Sequence, residues 1–341
     1  MSRPPARGPA RQRKGRPRRR RAAAGAERET RRPDGPTRRV SRGSTLLCAI
    51  EASQNSGVVL VVRKLVSGLT LALALAWPAP IREEAPLPAD AEGAVDRLAA
   101  TPRHGEWVEI SEGQGASGGW YDKVRAWISY PERATRAPVV VVIHEIFGLT
   151  DWVRGVADQL AGAGYIAIAP DLLTGLGPDG RTPSERQEAV RLIRGLRIED
   201  VARRLTAVGR FGAALPASNG KFGVIGFCWG GGTAFAYAGY EPNLAAAAVY
   251  YGTSPDERAI ARITAPVAGF YGSEDMRVNS TIPAAEAEMQ RLGLQFEKHI
   301  YEGAGHGFLR QQLGREGANL KAAESAWSAT LAFFGKHLES R

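Results

Sequence analysis

Cysteine is almost absent: Cys48 and Cys228 are the only two in 341 residues, 180 positions apart. That excludes a disulfide scaffold and any zinc site built on paired Cys-x-x-Cys. Histidine is scarce too, at His104, His144, His299, His306 and His337, with no His-Glu-x-x-His pair among them. No metal site and no cofactor is expected. Positive charge is missing where nucleic-acid binding would need it. Of 45 Lys+Arg and 35 Asp+Glu, 16 and 3 lie in residues 1–42, leaving 29 basic against 32 acidic in the remainder. The folded body therefore offers nucleic acid no basic surface. Long apolar runs are lacking as well. The one marked stretch, 65–75, has about eleven residues and is too short to span a bilayer core of roughly 30 Å.

Residues 1–42 are mostly Arg, Pro, Gly and Ala, which bury too little surface to offset the entropy of ordering. Residues 1–62 read as a basic disordered tail or an overextended gene start. Arg63 and Lys64, the apolar stretch and an Ala-x-Ala site at 74–76 make 63–76 a secretory signal peptide. A linker is expected over 77–104 and one folded body over 105–341. The expected location is the periplasm or the medium, or the cytoplasm if 63–76 is instead a buried helix. The mature form is expected to be a monomer with no membrane attachment.

The body alternates two kinds of pattern. Residues 107–110 and 124–130 read as opening antiparallel strands, separated by a loop at 113–119. Val139-Val-Val-Val-Ile143 is a β-branched run of the kind buried on both faces of a parallel sheet. A helix is expected over 151–163, with Gly164 as its C-cap, then a strand at 165–169 stopped by Pro170. One long amphipathic stretch covers 183–211, with Val190, Ile193, Leu196, Val201 and Leu205 near helical spacing. Strands at 222–227, 245–251, 267–271 and 296–301 alternate with helices at 231–240, 282–292 and 320–338. This order specifies an α/β fold, a doubly wound and mostly parallel sheet flanked by helices.

Gly226-Phe-Cys228-Trp-Gly230-Gly231 follows an expected strand and opens a helix. A nucleophile on such a turn is held in strained geometry with its side chain above the sheet. Gly226 and Gly230 are needed because a Cβ there would collide with neighbouring elements. The helix N-terminus favours a thiolate and supplies N–H donors to an oxyanion. Asp275 follows the strand at 267–271 and His306 follows the next. Nucleophile, acid, histidine is the chain order of the α/β-hydrolase fold. Glu274 competes with Asp275 for the acid role.

These residues, with His144-Glu-Ile-Phe-Gly148 after the first parallel strand, Asp171-Leu172 after Ala-Pro, and Gly305-His-Gly-Phe308, carry a resemblance to the dienelactone hydrolase family over about 105–338. The resemblance implies an α/β-hydrolase fold with Cys228 as nucleophile, His306 as base and Asp275 as orienting carboxylate. It implies that Glu145 stands beside the resting thiol and helps control when the thiolate forms. It further implies an oxyanion hole from the backbone N–H groups of Ile146 and Trp229, and Arg310 as a binder of substrate carboxylate. Arg186 and Arg191 are both candidates for a second such arginine. His144 stands where the best-known members carry glutamine. The expected function is cleavage of an ester or lactone substrate, anionic if Arg310 binds it, through a thioester acyl-enzyme. The alternatives are a general carboxylesterase without lactone preference and a non-catalytic binding protein on the same fold.

Overall fold

The computed structural model describes residues 86–112, 123–177 and 180–339. The expected tail, the signal peptide and the 113–119 loop lie outside the described residues. The strands are β1 (Gly105–Ser111), β2 (Lys123–Ser129), β3 (Ala137–Ile143), β4 (Ile166–Pro170), β5 (Ser218–Phe227), β6 (Ala247–Tyr250), β7 (Val267–Gly272) and β8 (Phe296–Tyr301). They form one sheet in the order β1-β2-β4-β3-β5-β6-β7-β8. β2 runs antiparallel to β1 and β4, and every other pairing is parallel. The helices are α1 (Ala94–Ala99), α2 (Asp151–Gly162), α3 (Arg186–Arg194), α4 (Ile198–Ala213), α5 (Trp229–Tyr237), α6 (Glu257–Ile260), α7 (Met276–Asn279), α8 (Ile282–Arg291) and α9 (Ala318–Phe334).

β3 shows why its sequence has no polar alternation. All seven of its residues are buried. Val139, Val141 and Ile143 face a core that includes Leu205 of α4, Phe235 of α5 and Met289 of α8. Val140 and Val142 face the opposite core, with Trp152 of α2 and Phe334 of α9. Each such side chain contributes about 1.5–3 kcal/mol relative to exposure.

Two expectations need correction. The stretch read as a linker is, from residue 86, part of the folded body. Leu87, Ala91 and Ala94 pack on the α2/α9 core, and Ala94–Ala99 is helical. Backbone polar groups do much of the fastening. The Trp152 indole N–H donates to the Ala89 carbonyl at 3.1 Å, the Gln312 amide to Pro88 at 2.8 Å, and the Ala91 N–H to Arg310 at 3.0 Å. Arg103 clamps buried Asp158 through two nitrogens. Main-chain bonding of this kind leaves no hydrophobic period in the sequence.

The amphipathic stretch at 183–211 is two helices rather than one. The chain breaks between Gly195, which caps α3, and extended Arg197, which opens α4. α4 packs on the main core, whereas Ala189 and Ile193 of α3 turn to a small separate cluster with Leu173, Ile146 and Trp229. The break carries α3 over the carboxyl ends of the strands.

Candidate active site

Cys228 lies between β5 and α5 with φ 56° and ψ −114°, a conformation that L side chains rarely adopt. Such a residue costs on the order of 1–3 kcal/mol and persists only where its surroundings fix it. Its N–H donates to the Tyr250 carbonyl at 3.0 Å. The flanking glycines are required by close approach. A Cβ on Gly226 would lie 2.0 Å from the Gly230 carbonyl oxygen. A Cβ on Gly230 would lie 2.4 Å from the oxygens of both Ile143 and His144. The start of α5 therefore rests directly on the backbone that leaves β3.

His306 Nε2 lies 3.1 Å from Cys228 Sγ, and its Nδ1–H donates to Asp275 Oδ2 at 2.5 Å. Asp275 also caps α7, accepting the Val278 N–H at Oδ1. Burial works against ionised Asp275. The hydrogen bond and charge of His306, with the Val278 N–H, outweigh it and hold the carboxyl below its ordinary range. Partial burial likewise opposes charge on His306, but the hydrogen bonds to Asp275 and Cys228 raise the imidazole to about 9. Glu274, the competing acid, is half exposed and faces Arg315 at 3.8 Å.

Glu145 is held by an arginine beside the triad. Its Oε2 is 2.7 Å from Arg310 Nε, and the partner of the thiol is His306. The Arg310 N–H does not point along that contact, so the two form a close charge pair rather than an aligned hydrogen bond. Burial pushes the Glu145 carboxyl above its usual range, against the opposing charges of Arg310, His306 and Arg186. Arg186 and Arg310 both stand over the Phe147 ring, at 3.9 and 5.4 Å from its centroid. Arg191 is instead held on Glu188 along the exposed side of α3. Of the two candidates for a second arginine, the structure brings Arg186 to the site. The N–H groups of Ile146 and Trp229 have no backbone acceptor among the described residues.

Two further residues stand beside the site, Tyr251 and His144, and the sequence assigned a role to neither. Tyr251 is fully buried at φ 40°, its ring edge-on to His306 at 5.1 Å, and its hydroxyl has no partner among the described residues. Burial, with Glu145 and Cys228 nearby, pushes that phenol well above its ordinary value. The available signal was a Tyr-Gly pair, Tyr251-Gly252, directly after β6. His144 is fully buried, and burial holds its imidazole below its ordinary value. Its ring nitrogens contact the Glu145 carbonyl at 2.8 Å and the Leu172 N–H at 3.3 Å, and it stacks on Trp229. Among the described residues, no three His, Cys, Asp or Glu side chains cluster to hold a metal, and no helix is long and apolar enough to cross a membrane.

Comparison with known proteins agrees with this architecture. Residues 124–338 match the dienelactone hydrolase family. A carboxymethylenebutenolidase of Cupriavidus pinatubonensis is 33% identical over 181 residues, covering 51% of this chain and 76% of its own. The carboxymethylenebutenolidase of Pseudomonas putida is 31% identical over 195 residues, covering 54% and 80%. The solved structure of a dienelactone hydrolase from Anabaena variabilis superimposes with a TM-score of 0.53 at 23% identity, covering 70% of this chain and all of that one.

Proposed function

The chain belongs to the dienelactone hydrolase family and is a hydrolase of the ester and lactone type, and from that premise we propose that Cys228 is its nucleophile in a Cys-His-Asp triad. The observation that carries this reading is the unbroken relay from Cys228 Sγ through both nitrogens of His306 to Asp275. An imidazole raised to about 9 is cationic at neutral pH, so it faces the sulfur as a proton donor.

The sulfur attacks the acyl carbon, and the carbonyl oxygen takes the negative charge between the Ile146 and Trp229 N–H groups. Collapse forms the thioester and breaks the C–O bond, with His306 Nε2 giving its proton to the leaving oxygen. Neutral His306 then takes a proton from water as the hydroxide attacks the thioester carbon. Release of the acid returns the thiolate–imidazolium pair. In a lactone the leaving oxygen stays tethered to the acyl group.

Arg310 and Arg186 flank Phe147 as a cationic rim, which suits a substrate bearing a carboxylate. Such a carboxylate competes with Glu145 for Arg310 and draws away the charge that best offsets the burial of Glu145. An anionic ester or lactone is therefore the favoured substrate. Iodoacetamide tests the nucleophile: labelling of Cys228 should abolish turnover of a p-nitrophenyl ester. A fully labelled enzyme that still turns over would refute it.

We also propose export by the 63–76 segment, supported by Arg63, Lys64 and the Ala-x-Ala site at 74–76. The native N-terminus should then be Trp77, whereas a native chain that retains 63–76 would exclude cleavage there.

A further inference from the structure

The triad leaves two buried titratable side chains beside the site without a task, Tyr251 and His144, and the contacts of His144 reach the proposed oxyanion hole. We propose that His144 is a positioning residue for the oxyanion hole, aiming the N–H of Ile146 and bracing Trp229. The inference rests on the nucleophilic reading above and adds a residue to it.

The tautomer follows from the hydrogen-bond partners. The Leu172 N–H can only donate, so Nε2 at 3.3 Å carries the lone pair. The proton is then on Nδ1, which donates to the Glu145 carbonyl oxygen at 2.8 Å. That carbonyl also accepts the Gly148 N–H at 3.2 Å. A trans peptide is planar, with its N–H opposite its C=O. Tying the Glu145 carbonyl from two sides therefore fixes the direction of the Ile146 N–H, which points the other way.

The same imidazole controls the second donor. Its ring stacks on the Trp229 indole with centroids 5.6 Å apart and planes at 23°. Ile146 and Trp229 meet again in the small cluster under α3. The far side of His144 is anchored as well. The Leu172 carbonyl accepts from Nη1 of buried Arg204 at 2.9 Å, and Nη1 also reaches the Thr174 carbonyl at 3.1 Å. His144 is thus a rigid spacer between the peptide that bears one donor and the residue that bears the other. Its own contacts exclude a part in proton transfer, since both of its nitrogens are engaged with backbone and the sulfur's partner is His306.

Two variants and two reactions test this. His144→Phe keeps a ring against Trp229 but removes both hydrogen bonds. His144→Asn places an amide N–H near the Nδ1 position, able to donate to the Glu145 carbonyl. Ester hydrolysis passes through an oxyanion, whereas alkylation of Cys228 by iodoacetamide does not. His144→Phe should lower kcat for a p-nitrophenyl ester about ten- to hundredfold, below the full loss of one oxyanion donor. KM should stay within about twofold, and the alkylation rate should match wild type. His144→Asn should recover most of kcat. Three results would overturn the proposal: full kcat in the Phe variant, an alkylation rate that falls in step with kcat, or an Asn variant no better than Phe. Failure of the nucleophile reading is seen separately, in wild-type enzyme that stays active after alkylation.

Discussion

Arg310→Ala disturbs substrate binding and a buried charge at once, and the two effects separate experimentally. On the substrate side, a charge-assisted hydrogen bond to a carboxylate is worth roughly 1.5–3 kcal/mol. At 1.36 kcal/mol per decade, that is a loss of about ten- to hundredfold in kcat/KM for a carboxylated ester or lactone. A neutral ester of the same leaving group should change by less than about threefold, because it never used the guanidinium. On the protein side, Glu145 is only 4% exposed and loses the contact at 2.7 Å. Breaking a fully buried pair costs about 3–5 kcal/mol. Arg310 keeps some contact with water, so about 2–3 kcal/mol is expected here, or roughly 5–10 °C in Tm for a body of this size.

The sign of the pH dependence follows from Glu145. Its carboxyl already sits above 4.5 because of burial, and loss of Arg310 raises it further. A raised carboxyl leaves the folded state holding a proton that the unfolded chain has released, so stability falls as pH rises above about 4.5 towards the raised value. The Tm deficit of Arg310→Ala should therefore be smaller at pH 4.5 than at pH 8. Adding Glu145→Gln should recover most of it, because the buried charge is gone. Equal activity losses for anionic and neutral esters, or a deficit independent of pH and unaffected by Glu145→Gln, would refute this reasoning.

Cys228→Ser should lower esterase activity at least about tenfold, since a hydroxyl ionises far less readily than a thiol beside the same imidazole; steady-state rates on one ester decide it. Asp275→Asn removes the carboxylate that helps raise His306 to about 9. A raised imidazole contributes stability that is present below 6.5 and lost as pH rises through about 9, so wild-type Tm should fall more between pH 6.5 and 9.5 than that of the variant. Gly230→Ala would drive a methyl to 2.4 Å from two backbone oxygens, and should cost at least about 1–3 kcal/mol in chemical denaturation along with most of the activity.

What the sequence discloses about this protein depends on where each interaction is stored. β3 was legible because Val139 to Ile143 are buried on both faces and so must all be apolar. The Cys228 turn was legible because close approach to the His144 and Gly230 backbones admits only glycine at 226 and 230. The strap at 86–99 was not, because Pro88, Ala89 and Ala91 are fastened through main-chain groups that every residue carries. The division of α3 from α4 was hidden for another reason. Both helices present apolar faces at similar spacing, and only the separate small cluster with Leu173, Ile146 and Trp229 turns α3 away. At the site, chain order suggests the pairing of Asp275 with His306. The partner of Glu145 depends on how a loop after β3 meets one after β8, and no local pattern records that.

The central claim is that catalysis proceeds through an acyl group on Cys228. Rapid quenching of the enzyme with a slowly deacylated p-nitrophenyl ester, followed by intact-mass analysis and peptide mapping, tests it directly. The account predicts one acyl group per chain at early times, mapped to the peptide carrying Cys228, labile to hydroxylamine as a thioester is, and gone when substrate is exhausted. An active enzyme with the acyl group on another residue, or with none at any quench time under conditions where p-nitrophenol is released in a burst, would contradict it.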